Sequence, residues 1–96
     1  MAMVPLSLGS YQNITGTTAI TAVPAVLTGF YVNSTGGTGT IVLRDGGASG
    51  VGTTVSGTIT PVIGWHFFPA SFTKSIHATI ANTIDVTFVY SPTANT

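Results

Sequence analysis

Glycine and proline recur so often along this chain that no apolar pattern with helical spacing reaches a useful length. There are 12 glycines and five prolines in 96 residues, and each one weakens or breaks a helix that runs through it. The segments between them are dominated by Thr, Val and Ile, whose branching at the β-carbon favours a pleated surface. The best helical alternative, Ser75 to Asn82, is short and its apolar residues alternate. The chain is therefore expected to be all-β.

The strands read as follows. Thr17 to Ala22 is short and ends before Pro24. Val26 to Asn33 places Val26, Thr28, Phe30 and Val32 on one face, with Gly29 opposite marking a bulge or a close approach. After a turn at Asn33 to Gly39, Thr40 to Asp45 carries Ile41 and Leu43 on one face. Gly46 to Gly52 is a glycine-rich loop, and Thr54 to Thr60 then alternates strictly, with Val55, Gly57 and Ile59 on one side. Ile63 to Phe68 pairs Trp65 with Phe67 on one face and His66 with Phe68 on the other. Lys74 to Ile80 turns Ile76, Ala78 and Ile80 inward, and Ile84 to Tyr90 does the same with Ile84, Val86, Phe88 and Tyr90. Short strands punctuated by turns about every 8–12 residues predict a small β-sandwich or jelly roll of about six to eight antiparallel strands. Residues 15–90 form that domain. Residues 1–14 are an N-terminal arm reaching a neighbour or a loose end, and 91–96 a loose tail.

A single domain of this length buries only about 60–65% of its unfolded surface. Disulfides, a metal or oligomerisation usually reinforce such a core, and the chain has no cysteine. Its two histidines, far apart in sequence, make a poor structural metal site. Oligomerisation is the expected remedy. The charge content agrees, since only Arg44, Lys74, Asp45 and Asp85 are formally charged and they sum to zero. At 4% charged residues, against about 25% in ordinary domains, the surface offers little repulsion between copies. The alternative is that the many Thr hydroxyls solvate a monomer. Two isolated basic residues cannot provide the counterion release that nucleic-acid binding needs. No apolar run approaches the roughly 20 residues of a membrane span, and Met1 to Ser10 does not read as a secretory signal. Synthesis in a cytoplasm, with no nucleic-acid or membrane partner, is the expectation.

No constellation of catalytic residues emerges, and the protein is expected not to be an enzyme, with no catalytic, cofactor-binding or metal-ligating residues. His77 falls opposite Ile76, Ala78 and Ile80 and is expected to meet solvent or a neighbour, while His66 is expected to be hydrogen-bonded at an edge among aromatics. Asp45 precedes two glycines, so its carboxylate should close a turn on its own backbone or pair with Arg44 or Lys74. Asp85 should face outward between Ile84 and Val86, with nothing to bring the two carboxylates together. No nucleophile motif surrounds any serine, and the glycine clusters lack the Lys-Ser/Thr ending of a phosphate loop. Asn13 and Asn33 each open an N-x-Thr pattern, a match near chance in so Thr-rich a chain.

Two segments carry a resemblance. The run from Thr15 to Asp45 contains V-L-T-G-F-Y-V-N, a Gly/Thr turn and a strand ending in Asp, and D-V-T-F-V-Y follows at Asp85 to Tyr90. This outline, covering most of residues 15 to 90, resembles a group of small phage-encoded virion proteins. The resemblance implies a capsid decoration (cement) protein or another head- or tail-associated protein. It further implies a homo-oligomer, a trimer favoured, bound to the phage major capsid protein on the virion surface. The N-terminal arm is then the first candidate for an anchor, adding a strand to a neighbouring sheet edge. One face of the aromatic Ile63 to Phe68 strand is a candidate contact between subunits. The alternative function is a receptor- or glycan-binding module of a phage fibre, tail or capsid surface, in which Trp65, Tyr31 and Tyr11 stack on sugars. Against that, Trp65 is expected to pack in the core.

Overall fold

The computed structural model describes residues 9–48 and 50–92. Among these residues the chain forms eight strands and no helix. They are β1 (Ser10–Ile14), β2 (Thr18–Ala19), β3 (Ala25–Ser34), β4 (Thr40–Asp45), β5 (Thr53–Ile59), β6 (Gly64–Phe72), β7 (Ile76–Ala81) and β8 (Asp85–Pro92). Two four-stranded antiparallel sheets result, sheet A in the order β1-β8-β3-β6 and sheet B in the order β2-β7-β4-β5. Only the β4–β5 connection stays within a sheet; every other one crosses between the two. That interleaving is the winding of an eight-stranded jelly roll.

The core lies between the sheets. Leu27, Phe30, Val32, Val86 and Phe88 from sheet A meet Ile41, Leu43, Ile76, Ala78 and Ile80 from sheet B. The Phe30 and Phe88 rings, directly paired across β3 and β8, sit 5.3 Å apart and tilted by 41°. The inward residues expected on β7 and β8 are those observed. Segment 1–14 divides: Ser10 to Ile14 is a sheet strand, its Ile14 buried opposite Val86, while residues 1–8 lie outside the described residues. At the other end, β8 continues through Ser91 and Pro92 into the segment expected to be a loose tail.

Three departures from simple alternation have local causes. In β3 the inward set is Ala25 and Leu27, then Phe30 and Val32, in place of Val26, Thr28, Phe30 and Val32. A register shift at Thr28 inserts one residue against β8 and reverses the phase. The facing stretch of β6 carries Phe68 and Pro69 against the single Thr28. Proline has no N–H to contribute, and this irregular position on an edge strand tolerates it, so β6 runs on to Phe72 instead of stopping at Phe68. In β5 the residues Val55, Ser56 and Gly57 face Leu43 alone, so strict alternation fails there. Gly57 adopts φ +68°, a left-handed conformation suited to glycine, and the Ser56 hydroxyl accepts the Leu43 N–H at 2.9 Å.

The short β2 is sealed at both ends by threonines. The Thr17 hydroxyl accepts the Ile80 N–H at 3.0 Å, and that of Thr21 accepts the Ile76 N–H at 2.9 Å. These side chains complete the pairing of β7 where β2 does not, so the expected strand from Thr17 to Ala22 is only two residues of ladder.

Candidate functional site

The most unusual surface of the molecule is the outer face of sheet A. Registers across its four strands place side chains in two adjacent rows. Tyr11, Val89, Gly29 and Phe67 form one, and Asn13, Thr87, Tyr31 and Trp65 the other. Tyr11 is 76% exposed, Phe67 70%, Trp65 47% and Tyr31 45%. Val62 and Ile63, just before β6, are also exposed. Trp65 therefore points outward, correcting the expectation that it packs in the core. The strand pairing explains why. His66, Phe68, Ala70 and Phe72 take the inward side of β6, so the odd-numbered residues have only the outer face.

Gly29 organises this face. It is buried although it lies on the outer side, because the Trp65 indole lies over it. A Cβ at position 29 would collide with the His66 carbonyl and come within 2.9 Å of the indole ring. Both meanings of the sequence signal hold here, since Gly29 adjoins a register shift and also admits a close approach.

A polar cluster borders the aromatic rows. The Asn13 amide donates to Asp85 Oδ1 at 2.7 Å and to the Thr87 hydroxyl at 3.1 Å, and the Asn33 amide reaches the same Asp85 oxygen at 3.5 Å. Asp85 thus faces outward as expected, and it gathers the two asparagines of the N-x-Thr patterns on one end of sheet A. Sequence reading missed this grouping, because residues 13, 33 and 85 meet only through the pairing of β8 with both β1 and β3.

Sheet B has a different outer face. Thr40, Val42, Arg44, Thr58, His77 and Thr79 lie on it, and Arg44 donates to the Thr79 hydroxyl at 2.7 Å. His77 lies on this outer face as expected, opposite Arg44, but it is only 8% exposed, so of the two expected surroundings, solvent or a neighbour, solvent is not the one it meets. It sits on the interior strand of the sheet, between β2 and β4. Burial, with the Arg44 charge adding to it, holds the imidazole below its ordinary pKa. His66 belongs to the other sheet. Its ring stacks on Phe30 at 5.1 Å, and Nε2 donates to the Val62 carbonyl at 2.7 Å.

Asp45 closes neither a turn on its own backbone nor a pair with Arg44 or Lys74. Its carboxylate accepts the N–H groups of Thr73 (2.9 Å), Lys74 (2.9 Å) and Ser75 (3.3 Å) and the Thr73 hydroxyl (3.0 Å). Desolvation works against the charge, but these donors outweigh it and hold the carboxyl below its ordinary range. Asp45 fastens the β6–β7 turn at one end of the sandwich, while Asp85 opens β8 at the other, so the two carboxylates are apart. Among the described residues no three His, Asp or Glu side chains gather as a metal site, and no pocket interrupts the surface. No protein-family model matches the chain, nor does any curated protein or solved structure.

Proposed function

We propose that this chain is a structural protein of a phage virion, a capsid decoration (cement) subunit that works by packing into an assembly. The observation that carries the packing role is the outer face of sheet A, where four aromatic side chains lie exposed in two contiguous rows on a chain with four formal charges. Contiguous apolar patches of this kind, bordered by polar residues, often mark contact surfaces. The jelly-roll winding adds support by analogy, being shared by viral capsid and lectin domains. The resemblance of Thr15–Asp45 and Asp85–Tyr90 to small virion proteins supplies the assembly, with the major capsid protein as the shell beneath. Quantitative mass spectrometry of purified virions of the encoding phage tests this. The expected result is many copies per particle, lost together with particle stability when the gene is deleted. Absence of the protein from intact particles refutes the reading.

A second reading has its own observation. The half-exposed Trp65 indole, packed against Gly29 beside Tyr31, offers an apolar surface, and the Asn13–Asp85–Asn33 cluster supplies polar atoms nearby. That combination suits a sugar ring, which needs an apolar plane and hydrogen-bonding partners together. A glycan-binding module of a phage fibre, tail or capsid surface is therefore the alternative function. Glycan-array binding by the purified protein, abolished by Trp65→Ala, is its expected signature, and an array without hits removes it.

A further inference from the structure

The packing role proposed above does not say what covers the outer face of sheet A. We infer that its occupant is a second copy of this chain, and the inference rests on that packing role. The exposed parts of Tyr11, Tyr31, Trp65 and Phe67 alone amount to about 450–500 Å². A standard interface takes about 800 Å² from each partner, so the aromatic rows supply more than half of it. Val62, Ile63 and the intervening Val89 and Thr87 lie in or beside the same surface.

Charge places no obstacle between copies. The only formal charge on the face is Asp85, already held by Asn13 and Asn33, and the chain as a whole is neutral. Other occupants fit less well. Phe67 on the face, and Ile63 and Val62 just before β6, have no polar side-chain atom to offer a sugar, and all three are strongly exposed. A contact with the shell alone would leave these side chains in water whenever the protein is free. A closed pair of copies buries them from the moment of folding, and it reinforces a core that is thin at this chain length.

Light scattering and sedimentation of the wild-type protein and of the double variant Tyr11→Ser, Phe67→Ser test this across dilution and salt. Both side chains are mostly exposed, so the variant should keep the β-sheet circular dichroism of the parent. The wild type should be a closed oligomer of 9.7 kDa chains, indifferent to salt. The variant should associate at least about a hundredfold more weakly, about tenfold or more for each contact removed. A second measurement keeps the wild-type aromatics. The chain has no cysteine, so Thr87→Cys takes a single spin label at the centre of the face. Sheets stacked face to face lie about 10 Å apart, and labels on two copies should therefore couple strongly. Wild-type protein that is monomeric throughout, an oligomer unchanged in the double variant, or uncoupled labels in an intact oligomer overturns the inference. A monomer still abundant in virions refutes the second copy and leaves the structural role standing. An oligomer absent from virions does the reverse.

Discussion

Replacing Gly29 by alanine sets a Cβ against the backbone carbonyl of His66, where no side-chain rotation can relieve it, and within 2.9 Å of the Trp65 ring. The strand or the indole has to shift, and such overpacking costs about 1–3 kcal/mol. Urea denaturation of Gly29→Ala should show that loss together with altered Trp65 fluorescence; an unchanged spectrum would mean that the indole does not rest on this glycine. Asp45 invites a different substitution. Asp45→Asn keeps the shape and removes the charge that three N–H groups and a hydroxyl address. We expect a loss of about 1 kcal/mol, near the low end for charged acceptors because the site is open to water. The sign with pH follows from the direction of the shift. A folded-state pKa below the ordinary 3.8 means that the contribution is complete above 3.8 and fades as pH falls through the folded value. The thermal midpoints of wild type and Asp45→Asn should therefore converge on acidification within that window. At this scale the sequence was a partial guide. Gly29 could be singled out because a glycine inside a strand needs a reason. Asp45 could not be matched to Thr73, because that contact spans 28 residues and depends on how β4 and β7 pair.

Pairing across the elements explains where the strand reading held and where it slipped. On β4, β7 and β8 a simple alternation survives the structure, because the extra residues at the register shifts lie in their partners β5 and β3 and not in these strands. On β3 and β5 a register shift breaks the alternation, and nothing in the local pattern of Val, Thr and Gly announces which residue will be passed over. The outward turn of Trp65 was hidden for a related reason. An aromatic strand with large residues on both faces reads as core either way, and only the pairing of His66 with Phe30 decides it. Ser56 offers a test of one irregularity. Its hydroxyl stands in for the ladder acceptor that β5 fails to give Leu43, so Ser56→Ala leaves that N–H without its partner and should cost about 1–3 kcal/mol. Hydrogen exchange at the Leu43 amide should accelerate in the variant more than at the amides of β8, whereas uniform acceleration would assign the loss to global stability alone. In the core, Phe88→Ala removes a fully buried ring packed on Phe30 and should cost about 3–5 kcal/mol by chemical denaturation.

Across the whole molecule the two faces differ in kind, aromatic on sheet A and hydroxylated with Arg44 and buried His77 on sheet B. His77 gives the molecule a second acid-sensitive point. Its pKa is held below the ordinary 6.5, so stability is complete above 6.5 and erodes as pH falls below it, where the unfolded chain takes up a proton more readily. Thermal midpoints should fall in two stages on acidification, the first absent in His77→Gln and the second in Asp45→Asn. The overall class, an antiparallel sandwich, was legible in the chain because it follows from composition and punctuation. The winding was not, since it depends on which distant strands meet. That winding governs the order in which the protein can come into being. Among the described residues β1 finds its only sheet partner in β8, and β8 is also the link between β1 and β3, so sheet A has no complete form until β8 has been synthesised. A nascent chain on the ribosome can pair β3 with β6, and β4 with β5 and β7, before β8 emerges, but β1 has no strand to pair with until then. Pairings of such long sequence separation close slowly, in milliseconds to seconds, which makes the interval before β8 docks the moment when this protein is most exposed to aggregation.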